Sequence, residues 1–324
     1  MYLGMDGGGT KTAFVLIDSR GKIRATHQGG SAYYLEVGMD ALRVLVNDGI
    51  KEILRKAGTK VAELDYAFFG LPVHGEDDQT ARLDLLPAPT LPSARYACGN
   101  DMVCGWAGSL ACKDGINVVA GTGSICYGEY AGRNARCGGL GELFSDEGSA
   151  YWIAREGLTL FSRMSDGRAI KGPLYDIFRK RLGTRRDVEL TAWVLEELNL
   201  GRSRFAAMSR LVHQAAENGD PQAAQVFARA AQELADLVDA TRRTLAIPAE
   251  TTVPASYSGG VFSIGARITA PFMAALRDTG AKYTLVSPQF SPVIGAALYA
   301  AKLSGQPLSA TARENLTPKE GGLL

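Results

Sequence analysis

Five short segments of this chain place acids, hydroxyls and paired glycines where strands should end. The first is Asp6-Gly7-Gly8-Gly9-Thr10-Lys11-Thr12, between two apolar runs. Glycines let backbone N–H groups approach phosphate oxygens closely, and successive amides form an anion nest. A P-loop needs GxxxxGK[ST] with a helix after it. Gly4 and Gly9 have that spacing, but Thr10 stands where lysine is required and strand-like residues follow. A dinucleotide GxGxxG fails too, because Thr12 replaces its last glycine and again no helix follows. A hairpin carrying an acid and hydroxyls suits a different ATPase class. Asp6 would hold Mg²⁺ through water, Gly8 and Gly9 would admit the phosphates, and Thr10 and Lys11 would face them. An ordinary Gly-rich hairpin also explains these residues.

Four more segments repeat the theme. Gly121-Thr122-Gly123-Ser124 is a second turn leaving a buried strand, and a nucleotide triphosphate needs more than one grip. Cys98-Gly99-Asn100-Asp101 follows the strand-like Ala94–Cys98 and precedes a helical pattern. An acid at a strand end is a natural general base for a hydroxyl. Alternatively, Asn100 or Asp101 only caps the helix. Gly138-Gly139-Leu140-Gly141-Glu142 leads into Ser145-Asp146-Glu147-Gly148-Ser149-Ala150-Tyr151-Trp152. Here Asp146 or Glu147 would accept hydrogen bonds from sugar hydroxyls, or would simply favour the dipole of a first helical turn. Ser258-Gly259-Gly260-Val261-Phe262 ends a strand with glycines against which a flat aromatic base can lie, or makes a plain strand-to-helix turn.

The elements around these segments suggest two related halves. Met1–Asp6, Ala13–Ile17 and Lys22–His27 read as an antiparallel meander with a turn at Asp18–Gly21. Asp40 is the expected N-cap of a helix presenting Leu42, Leu45, Ile53 and Leu54 on one face. Asp65–Gly70 reads as a strand, and residues 75–92 as a long loop. Ile116–Ala120, the Gly121 turn and Ile125–Tyr130 echo the N-terminus, which places a domain boundary near 113–115. Helices are expected over Gly148–Met164, around Leu190, Trp193, Val194 and Leu198, from Val226 to Leu245, and over Pro292–Leu303. Val253–Tyr257 reads as a strand, and the polar tail 304–324 as loosely ordered.

Composition narrows the function. The chain has 324 residues, enough for about two domains, with 46% hydrophobic and 21% charged residues. Lys+Arg (35) and Asp+Glu (34) nearly balance, so neither nucleic acid nor an anionic membrane is indicated. No apolar run approaches the roughly 18 residues of a membrane span, and no signal peptide is legible at the start. Five cysteines without a CxxC pair read as reduced thiols in a cytoplasmic protein. Three scattered histidines leave little for a histidine metal site or a Ser-His-Asp triad.

The five segments occur in the order of the actin/hexokinase-like superfamily. The chain specifically resembles N-acetylglucosamine kinases and the related BadF/BadG-type ATPase family. The resemblance rests on DGGGTKT at Asp6–Thr12, GND at Gly99–Asp101, AGTGS at Ala120–Ser124, DEGSAYWIA at Asp146–Ala154 and SGGVF at Ser258–Phe262. It implies an α/β fold of two actin-like (ribonuclease H-like) domains, 1–115 and 116–324, each a mixed sheet with flanking helices, around a nucleotide cleft. It implies ATP and Mg²⁺, with Asp101 taking the proton from the 6-hydroxyl of an amino sugar, N-acetylglucosamine first. Gly121, Thr122 and Gly123 would lie near the γ-phosphate, and Gly259 and Gly260 under the adenosine. Asn100, Gly138, Gly139 and Asp146 would form the sugar side. The expected partner is a small-molecule sugar, and a homodimer is left open.

Two positions depart from the family pattern. Tyr33 stands where an asparagine touches the sugar, and Leu140 where a tryptophan often follows the paired glycines. Glucosamine or N-acetylmuramic acid are therefore alternative substrates. A rival function is the ATPase activator of 2-hydroxyacyl-CoA dehydratases or benzoyl-CoA reductases, which needs cysteines for a shared iron–sulfur cluster. Cys126 and Cys137 do not match that pattern by spacing. A sugar-sensing repressor would carry a helix-turn-helix ahead of the first strand, and none is seen. Nothing is recognisable in Asp166–Gln222.

Overall fold

The N-terminal apolar runs form strands β1 (Tyr2–Gly7), β2 (Thr12–Ile17) and β3 (Ile23–Gly29) in an antiparallel meander, with Gly7 opposite Thr12. This computed structural model describes residues 1–183, 185–199 and 201–316, of which 197–199 by backbone only. Helix α1 (Tyr34–Val37) and helix α2 (Met39–Ala57) follow. Then β4 (Tyr66–Leu71) pairs parallel with β1, and after α3 (Thr80–Asp84), β5 (Tyr96–Asn100) pairs parallel with β4. The sheet order is β3-β2-β1-β4-β5. Leu3, Met5, Phe14 and Leu16 pack against Leu42, Val46, Ile50 and Ile53 of α2. Helix α4 (Met102–Leu110) leaves β5. Central β1 is covered on both faces, which is why its sequence is an unbroken apolar run as far as Met5.

The pattern then repeats. Strands β6 (Gly115–Ala120), β7 (Ser124–Tyr130) and β8 (Arg133–Gly138) form a second antiparallel meander. A helical stretch follows: α5 (Ala150–Ser165), α6 (Pro173–Leu182), α7 (Leu190–Asn199), α8 (Arg202–Ala206), α9 (Ser209–Glu217) and α10 (Pro221–Thr244). Strand β9 (Val253–Ser258) pairs parallel with β6. After α11 (Ala266–Asp278), β10 (Tyr283–Val286) pairs parallel with β9, giving the order β10-β9-β6-β7-β8. The echo read in the sequence is therefore a repeat of one topology. Buried Asp220 ties the helical stretch together: it accepts from Gln222 N (2.9 Å) and Ala223 N (3.1 Å) as cap of α10, and from Leu174 N (2.9 Å) of α6.

Helices α12 (Pro292–Leu303) and α13 (Ala310–Glu314) close the chain. It divides into two compact units, Met1–Asp114 with Ser287–Leu324, and Gly115–Val286. Residues from Ser287 onward thus group with the first unit rather than with Gly115–Val286. The reason is a glycine seat. A Cβ on Gly4 of β1 would stand 2.3 Å from Ala297 N, one on Gly295 of α12 would stand 2.2 Å from Gly108 N, and one on Gly108 would stand 2.6 Å from Ser291 O. Helix α12 thus lies backbone against backbone on β1 and α4.

Other expectations shift. Gly38, not Asp40, caps α2, with Asp40 inside the first turn. The loop 75–92 contains α3, and the tail contains α13, its last residues 317–324 lying outside the described ones. Strands β8 and β10 and helices α1, α6, α8, α9 and α11 are additions to the elements expected from the sequence. The side chain of Leu198, one of the positions that marked α7, lies outside the described residues. Because backbone atoms cannot yield to a new methyl group, Gly295→Ala is expected to destabilise the protein by about 1–3 kcal/mol or more. A urea unfolding midpoint equal to the parent's would contradict the seat.

Candidate active site

In the first unit the candidate residues gather at the C-terminal ends of β1, β4 and β5. The turn after β1 is closed by Gly8 N donating to Lys11 O (3.0 Å), and Gly8 O accepts from Ala32 N (2.9 Å). Thr12 Oγ1 donates to Gly30 O (2.8 Å), so the chain around Tyr33 is hung on this turn. Gly9, Thr10 and Lys11 are exposed. Gly70 leaves room where a Cβ would meet Cys104 Sγ at 2.2 Å and the Asp101 Cα at 3.3 Å. These bare strand ends let two carboxylates face one region. Burial, together with the charge of Asp101, raises the Asp6 carboxyl to about 7, against the opposing pull of Lys11. A cation there would restore the charged form.

Asn100 is buried, and its polar atoms are used within the unit. Nδ2 donates to Glu76 Oε1 (2.8 Å) and His74 O (3.2 Å), while Oδ1 accepts from Met102 N (3.1 Å). Asn100 is therefore what caps α4 and holds the 74–76 loop. Asp101, at the N-cap position, makes no side-chain cap bond. Tyr33 is half-buried outside the core, with its N–H on Ser31 Oγ (3.1 Å), whereas Tyr34 packs on the core and donates to Asp77.

In the second unit, the pairing of β6 with β9 brings two glycine segments side by side. A Cβ on Gly259 would stand 2.4 Å from Ala120 O, and its φ is +95°. The Gly121 turn is seated on the start of α5: Ala150 N donates to Gly121 O (2.9 Å) and Tyr151 N to Thr122 O (3.2 Å). Those first-turn amides would otherwise be unsatisfied. Ser149, not an acid, caps α5 through Trp152 N (3.1 Å), and no acid sits in its first turn. The dipole account of Asp146 and Glu147 therefore does not apply. Gly138 and Gly139 have φ of +72° and +71°, and a Cβ on them would meet Leu237 at 2.9 Å and Ile125 at 2.7 Å.

Asp146 is the acid expected on the sugar side. It is 3% exposed, with φ +60°, and its oxygens accept from Ser124 N (3.3 Å) and from Arg202. Arg202 Nε also lies 3.1 Å from Glu142 Oε2. A Cβ on Gly123 would collide with both Arg202 Nη2 (2.4 Å) and Asp146 Oδ2 (2.6 Å). Arg202 and Glu142 were missed in the sequence, since only the fold brings α8 to this loop.

The glycines therefore fall into two classes. Gly123, Gly138, Gly139 and Gly259 are required by the protein's own packing or backbone. Gly9, Gly121 and Gly260 have nothing within 4 Å of a built Cβ, and none has positive φ. The fold alone does not ask for glycine at those three positions. Gly121→Ala is expected to leave unfolding stability within about 0.5 kcal/mol of the parent, whereas Gly123→Ala should cost about 1–3 kcal/mol. Equal losses in thermal or urea unfolding would refute this division.

Among the described residues no helix is long and apolar enough to cross a membrane, and no group of three or more His, Cys, Asp or Glu side chains forms a metal cage. The chain is 27% identical over 310 residues to an N-acetyl-D-glucosamine kinase of Dictyostelium discoideum, covering 93% of this chain and 97% of that one. It is 24% identical to an N-acetylmuramic acid/N-acetylglucosamine kinase of Clostridium acetobutylicum, covering 92% and 97%. Its structure is similar to one proposed to be an N-acetylglucosamine kinase, from Chromobacterium violaceum, with TM-score 0.70, 27% identity and coverage of 91% and 97%. A glucokinase of the ROK family from Streptomyces griseus shares the fold at TM-score 0.50 and 18% identity, covering 93% and 99%. The profile of one family matches residues 3–300, and the chain belongs to it: the BadF/BadG/BcrA/BcrD ATPase family.

Proposed function

We propose that this protein is an ATP-dependent sugar kinase that phosphorylates an amino sugar, N-acetylglucosamine foremost, at its 6-hydroxyl. The observation that carries the reading is the set of glycines that the fold itself does not require, Gly9, Gly121 and Gly260, in a chain that places Asp101 at a strand end. The names of the relatives in Dictyostelium discoideum and Clostridium acetobutylicum support the acceptor class. With ATP as donor, the reaction belongs in the cytoplasm.

The protein's part is positioning and proton transfer. Phosphoryl transfer needs little covalent help, so the binding turns and the base do most of the work. Asp101 accepts the proton of the attacking hydroxyl, and Asn100 holds the start of α4 so that Asp101 keeps its direction. A magnesium ion would neutralise phosphate charge, and Asp6 is the carboxylate suited to its water shell, since Mg²⁺ is usually held by one or two carboxylates together with substrate phosphates. On the acceptor side, Tyr33 offers a hydroxyl and a ring where an amide would give a donor and an acceptor. The acetamido group is then less strictly demanded, which keeps glucosamine and N-acetylmuramic acid as second substrates.

The cysteines speak against the dehydratase-activator alternative. Cys126 faces Cys137 across β7 and β8, but Cys126 is fully buried and its thiol is raised to about 12 by burial. A thiol in that position is poorly placed to ligate a cluster shared between subunits.

A coupled ADP-release screen with N-acetylglucosamine, glucosamine, N-acetylmannosamine, N-acetylmuramic acid and glucose tests the reading, and no sugar-dependent ADP release would end it. Asp101→Asn should keep nucleotide binding and lose turnover by roughly 10²–10⁴-fold; a near-parental rate removes Asp101 as base. Gly121→Val should weaken ATP binding by about tenfold or more while the protein stays folded. Calorimetry giving an unchanged nucleotide Kd would mean that no phosphate approaches that turn.

A further inference from the structure

Arg202 opens α8, in a stretch that carries no recognisable pattern. Its guanidinium joins two acids of the loop between β8 and α5, donating through Nη2 to Asp146 and lying 3.1 Å from Glu142 through Nε. Nη1 donates to nothing among the described residues. The side chains of Arg202 and Glu142 are 39% and 32% exposed, while that of Asp146 is 3% exposed. A sealed carboxylate therefore sits beneath an ion pair open to water. The same loop follows Gly138 and contains Gly139, and a Cβ on Gly123 would meet Arg202 and Asp146. One cation thus connects the loop with paired glycines, the Gly123–Ser124 turn and the helical stretch.

We propose that Arg202 is a positioning residue for the acceptor side of the reaction: by bridging Asp146 and Glu142 it holds the 138–147 loop against the Gly123–Ser124 turn in the form that receives the sugar. This rests on the kinase reading above. The physical need is clear from what surrounds Asp146. Burial raises its carboxyl above the usual carboxylate range and Arg202 lowers it. The groups facing it are Arg202 from α8, Glu142 from its own loop and the neutral amide of Ser124 from β7. Without the guanidinium, a buried carboxylate keeps one weak partner beside a second acid, so it takes up a proton or turns outward, and the loop moves with it. Lysine cannot reproduce the bridge, because its single ammonium lacks the planar fork that spans two acids.

The test compares Arg202→Met and Arg202→Lys with the parent, as full chains. For Arg202→Met, kcat/KM for the sugar should fall about tenfold or more while the KM for ATP stays within about twofold. The acid limb of its pH profile should move to higher pH, because Asp146 then protonates more readily. Arg202→Lys should recover part of both effects. A lowered melting temperature with unchanged sugar KM and pH profile would overturn the proposal, and so would an ATP KM that rises as much as the sugar KM. Carboxyl ¹³C NMR titration of Asp146 needs no substrate. An upward shift in Arg202→Met supports the bridge even if the parent phosphorylates no sugar, and identical titration overturns it even if the parent is an active kinase. If Arg202→Met fails to fold, Arg202→Lys carries the same readouts with smaller shifts.

Discussion

The first unit depends on backbone meeting backbone at three glycines. Gly4, Gly108 and Gly295 remove the side chains that would hold α12 away from β1 and α4. With the helix seated there, β1 and α4 are fixed against a common partner. Asp6 is the second-last residue of the first of these elements, and Asp101 is the N-cap of the second. Two carboxylates that repel each other, and whose burial costs free energy, would otherwise drift towards water. Ala296, Ala297, Ala300 and Ala301 are buried along α12, so small side chains continue the close approach beyond the glycines.

The second unit solves an equivalent problem with hydrogen bonds. The Gly121 turn gives its carbonyls to the amides opening α5, and Gly259 lies against the backbone of Ala120. Two segments more than a hundred residues apart in the chain become neighbours because β9 pairs with β6. Arg242 braces the far end of that strand: it is buried, donates to Lys282 O (2.9 Å) and Thr251 O (2.6 Å), and lies over the ring of Tyr283. Since the strand runs from this brace to Ser258, the position of Gly259 and Gly260 depends on it.

Much of the candidate site could be named from the sequence because its residues are local. Asp6 through Lys11 are a single turn, as are Gly121 through Ser124, and glycine next to a buried strand is a signal that composition and spacing preserve. The first meander and the β6–β7 hairpin of the second were legible for the same reason, since consecutive antiparallel strands leave alternating or continuous apolar runs separated by turn residues. Strand β8 escaped because Arg133–Gly138 is polar and half-exposed, and β10 because its four residues are too few for a period. The helices α6 to α9 were invisible as a site because none of their residues carries a motif.

By itself the sequence determined the meander that opens the first half, the β6–β7 hairpin that opens the second, the turns that could admit phosphates and the acid after β5. These follow from short-range chemistry, in which residue type and spacing decide the local backbone. Only the tertiary structure decided which glycines the protein needs for itself, that residues from Ser287 onward pack with the first unit, and that Asp146 is sealed beneath Arg202. Each of these turns on an approach of a few ångströms between atoms far apart in the chain, and no spacing along one strand or helix encodes such a distance.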